Sequence, residues 1–285
     1  MAGSVEKLLA LLELEQLDVD LYRGAQPDTE RQRVFGGQVA GQALVAASRS
    51  ADPEFDLHSL HSYFLRPGDT RVPIIYQVQR IRDGRSFETR RVVAMQHGRE
   101  IYSQTTSFQR REDGFEHSDR MPEVGAPDQG LSLADLAAAR SEEELRHWQH
   151  EWAGLDMRHM GMSGRGLEVN PDTPAQARLW VRVDGDLPDD PAIQKAAFTY
   201  ASDLTLIGAT LVPHGIHINS PKLQPASLDH TVWFHRPLRA DDWWLYDQVS
   251  PSASGGRGLA LARVFSQTGE LVATVAQEGL IRRIG

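Results

Sequence analysis

The segment "PASLDHTVWFHRP", Pro225 to Pro237, sets Ser227, Asp229, His230, Thr231 and His235 into what otherwise reads as a buried strand. Serine, histidine and aspartate are the residue types of a nucleophilic triad. In an extended strand, however, neighbouring side chains point to opposite faces, so Asp229 and His230 cannot face one another. A nucleophile elbow is also missing, because "GMSGRG" (Gly161–Gly166) departs from G-x-S-x-G and no strand leads into it. Three H-x-x-H pairs, His58/His61, His147/His150 and His214/His217, bring no third ligand with them. "SGGRG" (Ser254–Gly258) lacks the Lys-Ser/Thr of a phosphate loop. The chemistry must be sought elsewhere.

Asp203 is the better candidate. It follows a helix that Asp190 can cap and Pro191 can open. At 100° per residue Ile193, Ala196, Ala197, Tyr200, Leu204, Ile207 and Leu211 form one apolar stripe, and Asp203 falls on its edge. Taken alone, the helix permits two readings: a partly desolvated carboxylate that needs partners, or an exposed one on the polar side. Two further polar residues bear on the choice. Gln277 shares strand parity with Leu271, Ala273, Val275 and Gly279, and Ser227 opens the strand after the helix. A buried amide without a partner costs about 1–3 kcal/mol, so Gln277 should have polar company.

The elements that must bring these residues together come from an internal repeat. "HSYFLRP" (His61–Pro67) resembles "TVWFHRP" (Thr231–Pro237), and Arg85–Gln109 resembles Arg257–Gly279. The second pair reads as two long hairpins turning at "QHGRE" and "QTGE". Upstream of each lies an apolar, small-residue-rich helical segment, Phe35–Ser50 and Phe198–Gly215, preceded by opening strands "LDVDLYRG" and "ARLWVRVD". A helix apolar nearly all round, followed by long strands, is expected to lie inside a curved sheet. Gly36, Gly37, Ala40, Gly41, Ala43, Ala46 and Ala47 would let that sheet approach closely. The predicted fold class is α+β: a double hotdog, each repeat a long antiparallel sheet wrapped around a central helix. The predicted domains are an N-terminal hotdog over 1–112, a linker over 113–174 and a C-terminal hotdog over 175–285. The linker carries a helical patch, "SLADLAAARSEEELRHWQHEW", in which Ser132 suits an N-cap, and is read as packing. Superposing the repeats roughly puts Ala40, Leu57 and Ser107 where the second has Asp203, Ser227 and Gln277, so one specialised site is expected.

Composition narrows the function classes. The 285 residues carry a net charge of −9, which argues against a nucleic-acid binder. Of 30 basic residues only Lys7, Lys195 and Lys222 are lysines, a skew that fits genome composition. Arg80, Arg82, Arg85, Arg90 and Arg91 cluster locally, and most of them read as a solvated strand face. No apolar run is long enough to span a bilayer, so no membrane insertion is expected. The acidic N-terminus does not read as a secretory signal. With no cysteine, the chain has neither disulfide nor thiolate nucleophile.

In six ordered stretches the chain resembles the acyl-CoA thioesterase II family: "RVFGGQVAGQAL", "LHSYFLRPGD", "RDGRSFETRRV", "ASDLTLIGATL", "ASLDHTVWFHRP" and "VATVAQEGLI". The resemblance implies hydrolysis of fatty acyl-CoA to free fatty acid and CoA, with no metal or redox cofactor. In that family an Asp, a Thr or Ser, and a Gln position the hydrolytic water; those motif positions fall on Asp203, Ser227 and Gln277. Many bacterial relatives have Thr where this chain has Ser227, and the hydroxyl survives the difference. Gly36 and Gly37, at a helix N-terminus, are the expected oxyanion donors, and His58 is expected to border the same cleft. A homo-oligomer, dimer or tetramer, is expected. The end "LIRRIG" is not an S-K-L address, which points to a cytoplasmic location. Two other readings stand beside this one. A hotdog hydratase or dehydratase would in one common spacing place His five residues after the Asp, where this chain has Gly208. A non-catalytic acyl-CoA-binding protein would have no use for a buried Asp203.

Overall fold

A computed structural model describes residues 4–160 and 175–284, so "GMSGRG" lies outside the described residues. The first repeat begins with α1 (Ser4–Leu12), β1 (Leu14–Asp18), β2 (Leu21–Gly24) and α2 (Gly36–Ser50). Strands β3 (Phe55–Phe64), β4 (Ile74–Asp83), β5 (Phe87–Gln96) and β6 (Arg99–Arg110) complete it. The connecting region contributes β7 (Leu131–Ser132), α3 (Leu133–Ala138), α4 (Glu142–Trp152) and β8 (Leu155–Met160), so a strand does lead up to Gly161, contrary to expectation. The second repeat has β9 (Gln176–Val183), α5 (Pro191–Ser202), a 3₁₀ segment (Leu206–His214), β10 (Leu223–Ser227) and β11 (Asp229–Phe234). It closes with β12 (Trp244–Ser254), β13 (Arg257–Ser266) and β14 (Leu271–Arg283).

The strands form one antiparallel sheet in the order β1-β2-β4-β5-β6-β3-β11-β14-β13-β12-β9-β8-β7, with β10 also on β14. For six strands on either side of the β3–β11 seam the order matches, as a duplicated unit requires, and β7 adds one more beyond β8. At the seam Thr231 pairs with His61, the residue it matches in the repeat. A local two-fold therefore passes through that pair. The sheet wraps both long helices in one apolar core containing Leu44, Tyr76, Phe198 and Tyr246. This is the expected double hotdog.

Local sequence explains the sharpest features. The β5–β6 hairpin turns through His97 and Gly98, both at positive φ, as a two-residue hairpin loop demands. Asp190 accepts the Ala192 N–H at 2.8 Å and Pro191 opens α5. In the connecting region Ser132 caps α3 and Ser141 caps α4, so the single helical patch expected there is two helices.

Three expectations are corrected. "LDVDLYRG" is a hairpin, β1–β2, because Asp20 takes a positive φ and reverses the chain. Gly37 and Gly41 serve the helix pair rather than the sheet. A Cβ on Gly37 would lie 2.3 Å from the Tyr200 carbonyl, and one on Gly41 3.1 Å from that of Ala196. The two helices thus cross antiparallel at close range. Finally, the apolar stripe does not continue as one helix. The α-helix ends at Ser202, whose Oγ lies 3.0 Å from the Thr199 carbonyl, and the chain resumes as 3₁₀ at Leu206.

Candidate active site

Asp203 occupies the C-cap of α5 and is 7 % exposed. A carboxylate at a helix C-terminus meets the negative end of the helix dipole. The antiparallel crossing offsets this, because it brings the N-terminus of α2 to the same point. No side chain caps α2 at Phe35, so the N–H groups of its first turn are available to an anion.

Three side chains converge as the sequence suggested. Gln277 donates from Nε2 to Asp203 Oδ1, and to Ser227 Oγ at 2.9 Å. Ser227 Oγ donates to the same Asp203 oxygen at 3.3 Å. Asp203 Oδ2 is turned toward Gly36. The exposed-carboxylate reading of Asp203 is thereby overturned. Two details differ from expectation. Ser227 ends β10 rather than opening a strand, because the chain leaves the β14 ladder there and restarts at Asp229. Gln277 is fully buried, with both amide hydrogens engaged, and it lies behind the other two residues. Asp229 accepts the Glu278 N–H at 2.8 Å, while His230 is fully buried beside Ser202, which disposes of the triad.

A cleft of about 400 Å³ opens in front of Asp203 and Ser227. Its walls are mainly apolar, with Val39, Phe64, Ile101 and Ile207 among them, and Arg33 and Arg66 also line it. Gly36 and Gly208 face this cleft. Tyr102 and Thr205, also in its wall, were not singled out in the sequence; strand alternation after the "QHGRE" turn could have indicated Tyr102. Burial, with the Asp203 carboxylate adding to it, pushes the phenols of Tyr102 and Tyr246 up, so both remain hydrogen-bond donors.

His58 is elsewhere. It sits at a β-bulge in β3, hydrogen-bonds Ser107 at 2.8 Å and meets Phe87 edge-on. The bulge swings it away from the cleft wall. Gly37, as noted, packs on α5 and is not part of that wall. The corner related to the site by the local two-fold is filled. Buried Lys195 bonds Asp56 and the Leu57 carbonyl there, and buried Arg90 bonds Ser50 and Glu88. The rough superposition is also out: Asp203 caps the end of α5, where α2 has Ala51 rather than Ala40, and the match to Gln277 is off by one residue. The ladders match Gln277 with Thr106 rather than Ser107, and His230 with Leu60. Ser107 has the wrong parity to point inward, as its half-buried position between buried Thr106 and Phe108 shows.

Comparison with known proteins agrees with this architecture. A family model described as acyl-CoA thioesterase matches residues 168–280, and one described as acyl-CoA thioesterase N-terminal domain matches 25–109. The chain is 39 % identical to acyl-CoA thioesterase 2 of Haemophilus influenzae over 287 residues, covering 99 % of each. It is 38 % identical to human acyl-coenzyme A thioesterase 8, covering 95 % of this chain and 88 % of that protein. Among solved structures it resembles an acyl-CoA thioesterase II of Mycobacterium marinum at 45 % identity and TM-score 0.82, covering 98 % and 99 % of the two chains. A hotdog protein of Alicyclobacillus acidocaldarius shares the fold at TM-score 0.78 and 21 % identity, over 98 % of each chain.

Proposed function

This chain belongs to the acyl-CoA thioesterase II family, and from that premise we propose how it hydrolyses its substrates: Asp203 is the general base of a fatty acyl-CoA thioesterase. The observation that carries the assignment is the convergence of Ser227 and Gln277 on one oxygen of Asp203, at the edge of an apolar cleft. With Oδ1 held by those donors, Oδ2 is left to accept a proton from a water in the cleft. Ser227 Oγ donates to Asp203 and accepts from Gln277, keeping a second lone pair for that water. Gln277 therefore acts by bracing Asp203 and Ser227.

The water oxygen attacks the thioester carbon while its proton passes to Asp203. The carbonyl oxygen gains charge, and the N–H of Gly36, which opens α2 in the cleft wall, is the donor this reading assigns to it. Collapse breaks the C–S bond. The proton returns from Asp203 to the thiolate, leaving a carboxylic acid and CoA. The apolar walls suit a hydrocarbon chain, which is why the acyl group is read as fatty.

The hydratase reading finds Gly208 in the cleft where its imidazole should be. A non-catalytic binder leaves the buried Asp203 arrangement without a purpose. Self-association, as dimer or tetramer, belongs to the proposal; Tyr63 and Trp233, exposed beside the seam, are available for it. A cytoplasmic setting also belongs to it, and the cysteine-free composition suits one. Among the described residues no helix is long and apolar enough to cross a membrane.

Asp203→Asn should fold normally and lose about 10²–10⁴ in rate, the usual worth of positioned proton transfer. Release of CoA from a medium-chain acyl-CoA, followed with a thiol reagent, measures it. Near-normal turnover would remove Asp203 from the chemistry.

A further inference from the structure

The orientation of the Gln277 amide is decided by a residue outside the trio. Gln277 can serve Asp203 and Ser227 only with its NH₂ turned toward them; reversed, its oxygen would face a carboxylate. What lies on the other side of the amide is His230. In the β11–β14 ladder Thr231 pairs with Ala276 and Val232 with Val275, so one step further sets His230 opposite Gln277. Cross-strand neighbours on one face stand about 5 Å apart at Cβ. Both side chains are fully buried.

The remaining hydrogen-bonding capacity is complementary. His230 Nε2 lies 2.9 Å from Ser202 Oγ, which also lies 3.0 Å from the Thr199 carbonyl, so its one proton goes to the ring only where Nε2 is bare; the Ser202 carbonyl takes the Tyr246 hydroxyl at 2.9 Å. His230 Nδ1 and Gln277 Oε1 are buried atoms, neither with a hydrogen-bond partner among the described residues. One is a potential donor and the other only an acceptor. The first repeat supplies a comparison within the same molecule. There the matching positions are Leu60 and Thr106, directly paired in the β3–β6 ladder. A leucine fills this position well where no amide has to be turned.

We propose that His230 is the positioning residue that sets the Gln277 amide: its Nδ1–H donates to Gln277 Oε1 and its Nε2 accepts from Ser202 Oγ–H. That tautomer aims both Gln277 hydrogens at Asp203 and Ser227. The opposite tautomer would demand an amide hydrogen at Nδ1 and turn the amide oxygen onto Asp203. Burial pushes the imidazole down from its ordinary value, against the pull of Asp203 and Gln277, which keeps the ring neutral and the tautomer meaningful. The proposal rests on the trio reading given above.

Two variants and one spectrum test it. His230→Asn places an amide donor where Nδ1 was; His230→Gln places it at the Nε2 end. His230→Asn should keep kcat within about threefold, and His230→Gln should lose about tenfold or more in kcat at unchanged KM, the consequence of one lost buried hydrogen bond. In a Gln277→Ala background the two should be indistinguishable. Equal kcat for the two variants, or a difference that persists without Gln277, would overturn the proposal. Nitrogen-15 spectra of the wild-type protein should show His230 protonated at Nδ1 and bare at Nε2. The reverse tautomer would overturn it even if neither variant folds. Full activity in Gln277→Ala itself would count against the trio reading, whereas the spectrum still judges the His230–Gln277 bond.

Discussion

Asp203 ends α5 with its Oδ2 lying against Gly36, the first residue of α2. A Cβ on Gly36 would fall 2.6 Å from that oxygen and 2.7 Å from the Phe64 ring. Neither helix alone explains the contact; the antiparallel crossing creates it.

Gly36→Ala should therefore damage catalysis through geometry. Phe64 is packed against Tyr102, so the carboxylate is the group that must give way. A displacement near 1 Å corresponds to about a hundredfold in rate. The expected result is a kcat lower by about that factor in a protein with an unchanged circular dichroism spectrum, measured by CoA release. Wild-type kcat would show that Asp203 Oδ2 has no role beside α2.

Ser227 offers a graded comparison. Ser227→Ala removes a donor to Asp203 and leaves a Gln277 hydrogen without its acceptor. An unsatisfied buried donor is worth about 1–3 kcal/mol, or about ten- to a hundredfold if expressed in the transition state. Ser227→Thr keeps the hydroxyl and should stay within about threefold of wild type. Steady-state kinetics on one acyl-CoA distinguishes these outcomes; a Thr variant as impaired as Ala would mean that shape rather than the hydroxyl matters.

Stability should depend on pH through buried His230, with smaller contributions from half-buried His58 and the exposed His235. Burial, foremost, lowers the folded-state pKa of His58, His230 and His235; Lys195 and His61 add to it at His58 against Asp56, and Arg236 adds at His235. At His230, Asp203 and Gln277 oppose it. The unfolded chain takes up these protons near the ordinary value of about 6.5, while the folded chain refuses them until lower pH. Unfolded protein then binds more protons, and stability falls as pH drops below about 6.5. The melting temperature should decline from about pH 7 toward 5, and less steeply in His230→Asn. Glu151, Asp241 and Asp247, held below the usual carboxylate range by hydrogen bonds and neighbouring cations that outweigh burial, add a second loss only at more acidic pH. A flat profile across the histidine range would show that these rings are solvated.

Much of the site was legible because its parts follow local rules. Asp190 and Pro191 announce α5, Gly98 announces a hairpin, and the parity of Leu271–Gly279 puts Gln277 inside. What escaped depends on contacts between segments distant in sequence. The stop of α5 at Ser202 is one case: helical periodicity continues through Leu211, but residues 206–214 form a 3₁₀ segment packed against β9, β12 and β13. His58 is another. Its motif pointed to the cleft, but a single bulge in β3 sends the ring to Ser107.

By itself the sequence determined a duplicated α+β unit and the three polar residues of its second copy, because strand alternation, helix caps and repeated motifs are properties of short segments. Only the tertiary structure decided where those residues meet. Gly37 and Gly41 let two helices cross closely enough to oppose the end of one to the start of the other, and the β11–β14 ladder sets His230 against Gln277. Distances between segments depend on packing and register, which no local pattern encodes.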